Sequence, residues 1–241
     1  MPFRRSLKPT DQTADEALFR GPAPADFRDT DPWRVHRVAG EFVEGFDAMA
    51  DVRRAVSIFG SARVREDDPW YQKAVETSRQ LGRAGYSIIT GGGPGIMEAG
   101  NRGAHEVGAP SIGLNIELPH EQHVNPYVDF EVDFRYFFVR KTMFVKYSQA
   151  FVVFPGGFGT LDELFEAVTL IQTGKVDRFA VILMSVDYWA GLVRWLESRL
   201  VAEGKIAKDD MRLLHITDDP AHVLEIVRAC DPVENGTTRN P

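Results

Sequence analysis

Ala150-Phe151-Val152-Val153-Phe154-Pro155-Gly156-Gly157-Phe158-Gly159-Thr160-Leu161-Asp162-Glu163 is the stretch whose reading decides the fold. Five apolar residues without a polar break describe a strand buried on both faces. Proline and glycine end that strand, and Thr160, Asp162 and Glu163 mark the first turn of a following helix. A strand that runs through glycine into a helix is the unit from which parallel α/β sheets are built.

Working outward, the same pattern returns. Ala55 to Phe59, Tyr86 to Thr90, Ser111 to Leu114 and Phe179 to Leu183 are short β-branched runs, with a weaker one around Arg212 to Ile216. Helical patterns lie between them, opened by Asp68-Pro69, by Pro94 and near Asp187 and Pro220. Together they predict a Rossmann-like, doubly wound parallel sheet with helices on both faces. Residues 51–230 are expected to form this one domain. Asp31-Pro32 begins an amphipathic helix over 31–50, with Val35, Val38, Phe42, Phe46 and Met49 on the docking face. Residues 1–30 and 231–241 lack sustained periodicity and are expected to be flexible tails.

Ligands of open parallel sheets sit beyond the carboxyl ends of the strands. Three turns fall there: Gly60-Ser61-Ala62-Arg63, Gly91-Gly92-Gly93-Pro94-Gly95 and the Pro155 turn. Glycine lets backbone approach an anion closely, and a helix N-terminus aims N–H groups and a positive dipole end at it. Either turn alone also reads as a tight structural connection, and Ala99, Gly100, Gly103 and Ala104 give the first a plain packing role. Two such turns at adjacent strand ends describe a cleft of converging donors. Neither fits a G-x-G-x-x-G dinucleotide fingerprint, and Gly174-Lys175 lacks the strand and leading glycine of a Walker A loop.

The helix around Arg135 to Tyr147 is apolar on most of its circumference, yet carries Arg140 and Lys141. Such cations need a carboxylate or a ligand phosphate as partner. Both a structural ion pair and a phosphate contact satisfy that need. His120-Glu121-Gln122-His123 lies between Pro119 and Pro126, which argues against two histidines on one helical face, so no metal is expected. Glu121 suits a ribose contact instead. Ser61 has no accompanying histidine and is not expected to act as a nucleophile.

Composition narrows the function further. Hydrophobic residues make up 44% of the 241 and charged residues 26%, within the ordinary globular range. A net charge of −7 disfavours broad nucleic-acid binding while leaving a small anionic ligand open. The single Cys230, the absence of a secretory pattern near Met1 and the lack of a membrane-length apolar run favour the cytoplasm and no membrane partner.

The run Pro155 to Glu163 matches P-G-G-x-G-T-x-x-E, and with Gly91 to Met97 and Arg140-Lys141 it resembles the LOG ("lonely guy") family of cytokinin-activating phosphoribohydrolases. The similarity covers roughly Val52 to Ile216. It implies hydrolysis of the N-glycosidic bond of an N6-modified adenosine monophosphate, giving free base and ribose 5-phosphate. Arg140 and Glu163 would be the catalytic pair. Ser61, Gly92, Gly93, Met97, Glu121, Lys141, Gly156, Gly157, Phe158, Gly159 and Thr160 would bind substrate, without metal or cofactor. The resemblance also implies a homodimer or larger homo-oligomer, with the aromatic helix around Arg140 near the contact. Asp162 is read as a surface residue that complements the helix dipole.

The long N-terminal extension, the Gly93-Pro94-Gly95-Ile96-Met97-Glu98 turn and the longer C-terminal region resemble bacterial members and leave the base open. Two other functions stay in view. One is a carrier of a nucleotide or of the molybdenum cofactor, a class that shares this superfamily, and the other is a general nucleoside monophosphate nucleosidase. A lysine decarboxylase would require pyridoxal phosphate, for which only Lys141 lies near the cleft.

Overall fold

The computed structural model describes residues 13–19, 31–118, 124–176 and 179–231. Its seven strands are β1 (Ala55–Phe59), β2 (Ser87–Thr90), β3 (Ser111–Ile116), β4 (Phe130–Phe134), β5 (Ala150–Val153), β6 (Ala180–Met184) and β7 (Leu214–Thr217). They form one sheet in the order β4-β3-β2-β1-β5-β6-β7, and every neighbouring pair is parallel. The order reverses direction at β1, so the ends of β1, β2 and β5 surround a topological switch point.

Among the described residues the α-helices are α1 (Ala14–Phe19), α2 (Asp31–Ala48), α3 (Pro69–Arg83), α4 (Ile96–His105), α5 (Phe137–Tyr147), α6 (Phe158–Gln172), α7 (Val186–Trp195) and α8 (Pro220–Cys230). Val56 and Ile58 of β1 face α3, α4 and α8 through Tyr71, Val75, Ile96, Ala99, Val223 and Val227. Ala55 and Phe59 point the other way, into a second core built with Met49, Val139, Met143, Phe144, Leu164 and Trp189. Strand alternation thus feeds two apolar layers, the doubly wound arrangement expected from the continuous apolar runs.

Some elements depart from the sequence reading. β4 was not anticipated. Phe130-Glu131-Val132-Asp133-Phe134 alternates in chemistry and lies on the edge, where only one neighbour and one partly buried face reward apolar residues. Within the stretch read as an N-terminal tail, Ala14–Phe19 is helical, with the Thr13 hydroxyl accepting from the Glu16 N–H at 3.2 Å. Helix α7 continues as a π-helical segment over Leu196–Val201.

The C-terminal boundary also shifts. Asp231, placed in the tail from sequence, is fully buried and accepts from Arg54 Nε at 2.9 Å, Arg54 Nη2 at 2.7 Å and the Tyr86 hydroxyl at 2.7 Å. Burial, with this hydrogen bond, pushes the Tyr86 hydroxyl up to about 12. A buried carboxylate held by a guanidinium and a phenol fixes the end of α8 to the start of β1.

Candidate active site

Helix α6 starts directly from the Pro155 turn. Its N-cap is Gly157, and no side chain caps the first turn, so the leading N–H groups are left to a ligand or solvent. A Cβ added at Gly157 or Gly159 would meet nothing within 4 Å. Internal packing therefore does not explain glycine at those two positions. Gly156 differs: a Cβ there would run into Thr160, reaching its Cβ at 2.7 Å. The Gly156 carbonyl accepts the Tyr188 hydroxyl at 2.7 Å and is thereby turned toward α7. Tyr188 gets there because Ser185, the one described non-glycine residue with positive φ (92°), bends the chain from β6 into α7.

The first glycine turn is built by a buried polar network. Thr90 accepts the Gly92 N–H at 2.9 Å and donates to Asn101 Oδ1 at 2.6 Å. Asn125 donates from Nδ2 to the carbonyls of Gly92 (3.0 Å) and Gly93 (3.1 Å) and to Asn101 Oδ1 (2.9 Å). Gly92 has φ +73°, and any Cβ on it would strike Asn115 Oδ1, so glycine is required twice over. The N–H of Gly92, a residue expected to contact substrate, is donated to Thr90 within the turn. Met97 packs over the turn, its Sδ 2.7 Å from where a Cβ on Gly91 would stand.

Ser61 joins the turns. Its N–H donates to the Pro155 carbonyl at 3.0 Å, and its own carbonyl accepts from Ile96 N at 3.1 Å. The hydroxyl accepts from the Arg63 N–H at 3.1 Å.

Helix α5 delivers Arg140 and Lys141. The Arg140 Nε donates to the Leu114 carbonyl at 2.7 Å, its guanidinium lies 5.2 Å from the centre of the Phe144 ring, and Nη2 lies so close to Gly91 that a Cβ there would displace it. Burial pulls the Arg140 guanidinium down to about 10, against the opposing charge of Glu163. Lys141 Nζ lies 2.9 Å from Asp162 and 2.7 Å from Glu166, bridging α5 to α6. Asp162, read from sequence as a surface residue serving only the dipole, is exposed but is a partner of Lys141. Lys141, expected to contact substrate, is held here by these two carboxylates.

Thr160, Glu163, Leu164 and Ala167 form the buried face of α6 at helical spacing. Glu163 is 7% exposed, and its Oε2 has no hydrogen-bond partner among the described residues. Burial lifts its carboxyl to about 7, although the charges of Lys141 and Arg140 oppose the rise. A buried carboxylate oxygen without a partner, poised near neutrality, is costly to a fold and useful to a reaction. Phe158 stands at the mouth of the turn, 91% exposed. Glu121 and the neighbouring histidines lie outside the described residues. Among those described, no cluster of His, Cys, Asp and Glu could hold a metal ion, and no helix is long and apolar enough to cross a membrane.

Both glycine turns, Arg140 and Glu163, singled out in the sequence, are placed together by the structure. Sequence reasoning missed Asn101, Asn125 and Tyr188, whose partners lie distant in sequence, and the Glu166 end of the Lys141 bridge, for which the four-residue spacing from Asp162 was the available signal.

The family described as "Possible lysine decarboxylase" matches residues 97–227. The cytokinin riboside 5'-monophosphate phosphoribohydrolase LOG of Oryza sativa subsp. japonica is 30% identical over 165 residues, 67% of this chain and 67% of that protein. The cytokinin riboside 5'-monophosphate phosphoribohydrolase of Mycobacterium tuberculosis is 30% identical over 173 residues, 68% of this chain and 89% of its own length. Among solved structures, the molybdenum cofactor binding protein of Rippkaea orientalis superposes with a TM-score of 0.55 at 19% identity, over 73% of this chain and 96% of that one. The Moco carrier protein of Chlamydomonas reinhardtii gives 0.53 at 21%, over 74% and 97%. These two likenesses bear on the fold. With the glycine turns, Arg140 and Glu163 in one arrangement, the family match and the sequence relatives place this chain in the LOG family.

Proposed function

We propose that this protein hydrolyses the N-glycosidic bond of a nucleoside 5′-monophosphate, an N6-modified adenosine monophosphate or AMP, releasing the base and ribose 5-phosphate. One observation carries the reading: the Glu163 carboxylate is buried with an unpartnered oxygen on the inner face of α6, whose uncapped N-terminus begins six residues earlier at Gly157. The open N–H groups of the Pro155 turn hold the phosphate, and the carboxylate faces the sugar.

In the reaction, a water oxygen bonds to the anomeric carbon as the bond from that carbon to the base nitrogen breaks. Glu163 takes the water proton, and the departing base takes its proton from solvent. A carboxyl near 7 suits that task, because a large fraction is carboxylate at neutral pH and that carboxylate is basic enough to accept a proton. Its negative charge also stabilises the positive charge that develops on the sugar. Arg140 balances Glu163 and orders the first glycine turn, and the fixed phosphate holds the sugar in a reactive geometry.

A decarboxylase reading does not fit the residues present. Imine formation needs a neutral amine, whereas Lys141, despite its burial, is held above its ordinary pKa by Glu166 and Asp162. The protein is proposed to act in the cytoplasm as a homodimer or larger homo-oligomer. Phe137 and Phe138 at the start of α5, exposed by 42% and 40%, support that assembly.

The deciding experiment incubates the purified protein with isopentenyladenosine monophosphate, AMP, GMP and CMP and measures released base by chromatography. Release from the isopentenyl nucleotide alone, abolished by Glu163→Gln and Arg140→Ala, makes it a cytokinin-activating enzyme. Equal release from AMP makes it a general nucleosidase. No release, with tight binding of a nucleotide or the molybdenum cofactor, would replace the enzyme by a carrier.

A further inference from the structure

Helix α5 carries Arg140 and Lys141 but brings no cap of its own: its N-cap is Tyr136, and no local side chain accepts from its first turn. The missing acceptors arrive from the N-terminal extension. Glu41 Oε1, on α2, accepts from the N–H groups of both Arg135 and Tyr136 at 3.0 Å. Asp15 Oδ2, on α1, accepts from the N–H of Phe137 at 3.1 Å. Two carboxylates therefore meet the positive end of the helix dipole from segments remote in sequence.

Packing reinforces the capping. Glu41 and Gly45 are buried along one face of α2 at four-residue spacing, and Met49, just past its end, is buried as well. A Cβ on Gly45 would lie 2.8 Å from Met143 Cε and 3.1 Å from Phe134, so glycine lets α2 approach α5 and the end of β4 closely. Burial drives the Glu41 carboxyl upward, and the hydrogen bonds from Tyr136 and Arg135 counter that cost. The extension thus grips α5 at its start and along its side, one turn from the residue that faces the glycine cleft.

We infer that the N-terminal extension is a positioning element of the active site: Glu41 and Asp15 fix the start of α5 and so set where the Arg140 guanidinium stands. The inference rests on the hydrolase reading for its catalytic consequence, but the grip itself can be tested without turnover. In the full-length chain, Glu41→Ala, Glu41→Gln and Asp15→Ala are compared with wild type well below their melting temperatures. Amide hydrogen exchange is followed by mass spectrometry over the peptide containing Arg135 to Val139. In parallel, kcat and KM are measured for base release from AMP and from isopentenyladenosine monophosphate.

Glu41→Ala is expected to speed exchange in that peptide and to lower kcat by about tenfold to a hundredfold, since small misplacements of a reacting constellation have that effect. KM should move less, because the Pro155 turn is untouched. Glu41→Gln retains an acceptor oxygen and should restore most of the rate, and Asp15→Ala should show the same pattern more weakly. Unchanged exchange, or faster exchange with wild-type kcat, overturns the inference. If wild type releases no base from any nucleotide, the hydrolase reading fails instead, and the exchange result alone decides whether Glu41 holds α5.

Discussion

Arg140 Nε donates to the carbonyl oxygen of Leu114 at 2.7 Å, which ties α5 to β3 and sets Nη2 against the Gly91 turn. A lysine cannot reproduce this. Its single ammonium could reach Leu114 or the cleft, but it lacks the planar fork that serves both. Arg140→Lys is therefore expected to keep the charge and the fold yet lose about a hundredfold or more in kcat/KM, comparable to removal of one preorganised donor. Steady-state kinetics alongside a melting curve would test it, and near wild-type activity in the lysine variant would remove the geometric role.

On the proposed mechanism Glu163 sets the pH dependence. Its carboxyl is lifted to about 7 in the free protein and the reaction needs the carboxylate, so kcat/KM should rise with pH through that region and level off above it. Glu163→Gln should abolish the rise along with the rate. Stability should move oppositely. A carboxyl with a raised folded pKa favours the fold while protonated, and that contribution is lost as pH rises from about 4.5 through about 7. The glutamine variant should therefore melt higher than wild type above pH 7, by up to roughly 3 kcal/mol for a shift of this size. The two melting curves should converge at acid pH.

Asn125 anchors the first turn through the Gly92 and Gly93 carbonyls and Asn101. Asn125→Ala leaves these buried acceptors without their donor, at about 1–3 kcal/mol of stability. With the carbonyls free to rotate toward the cleft, KM for the nucleotide should rise. Denaturant titration and a KM measurement would check both, and an unchanged KM would confine Asn125 to a structural role.

The inner strands were legible because each carries its signal locally: Val56 and Ile58, or Val152 and Val153, are apolar whichever face is considered, as a doubly covered strand requires. The edge strand Phe130–Phe134 was not, since its Glu131 and Asp133 are tolerated only by the position it takes in the sheet. Short-range capping was available in Thr13 and Glu16 but was outweighed by the polar, proline-rich surroundings. The catalytic candidates came from the family resemblance carried by the Pro155 to Glu163 run and the Arg140-Lys141 pair. What surrounds them was not, because Asn125, Tyr188 and Glu41 act on backbone groups 32 to 95 residues away, and no periodicity encodes such pairings.

Gly156 and Gly157 separate packing from binding within one turn. A Cβ at position 156 would press on Thr160, so Gly156→Ala should destabilise the protein by about 1–3 kcal/mol, as overpacking does. At position 157 a Cβ meets no protein atom within 4 Å, and the backbone is extended (φ −94°, ψ −156°), outside the left-handed region that demands glycine. Gly157→Ala should therefore leave the melting temperature unchanged or slightly raised, through a stiffer unfolded chain. If the uncapped N–H groups of α6 hold a phosphate, however, the new methyl group stands where the ligand's oxygens approach the backbone. Affinity for AMP, measured by calorimetry on the catalytically disabled Glu163→Gln background, should fall by about tenfold or more, a loss of roughly 1.4 kcal/mol. A stable Gly157→Ala protein that binds AMP as tightly as its parent would mean that the phosphate sits elsewhere, and the open glycines of this turn would then need another explanation.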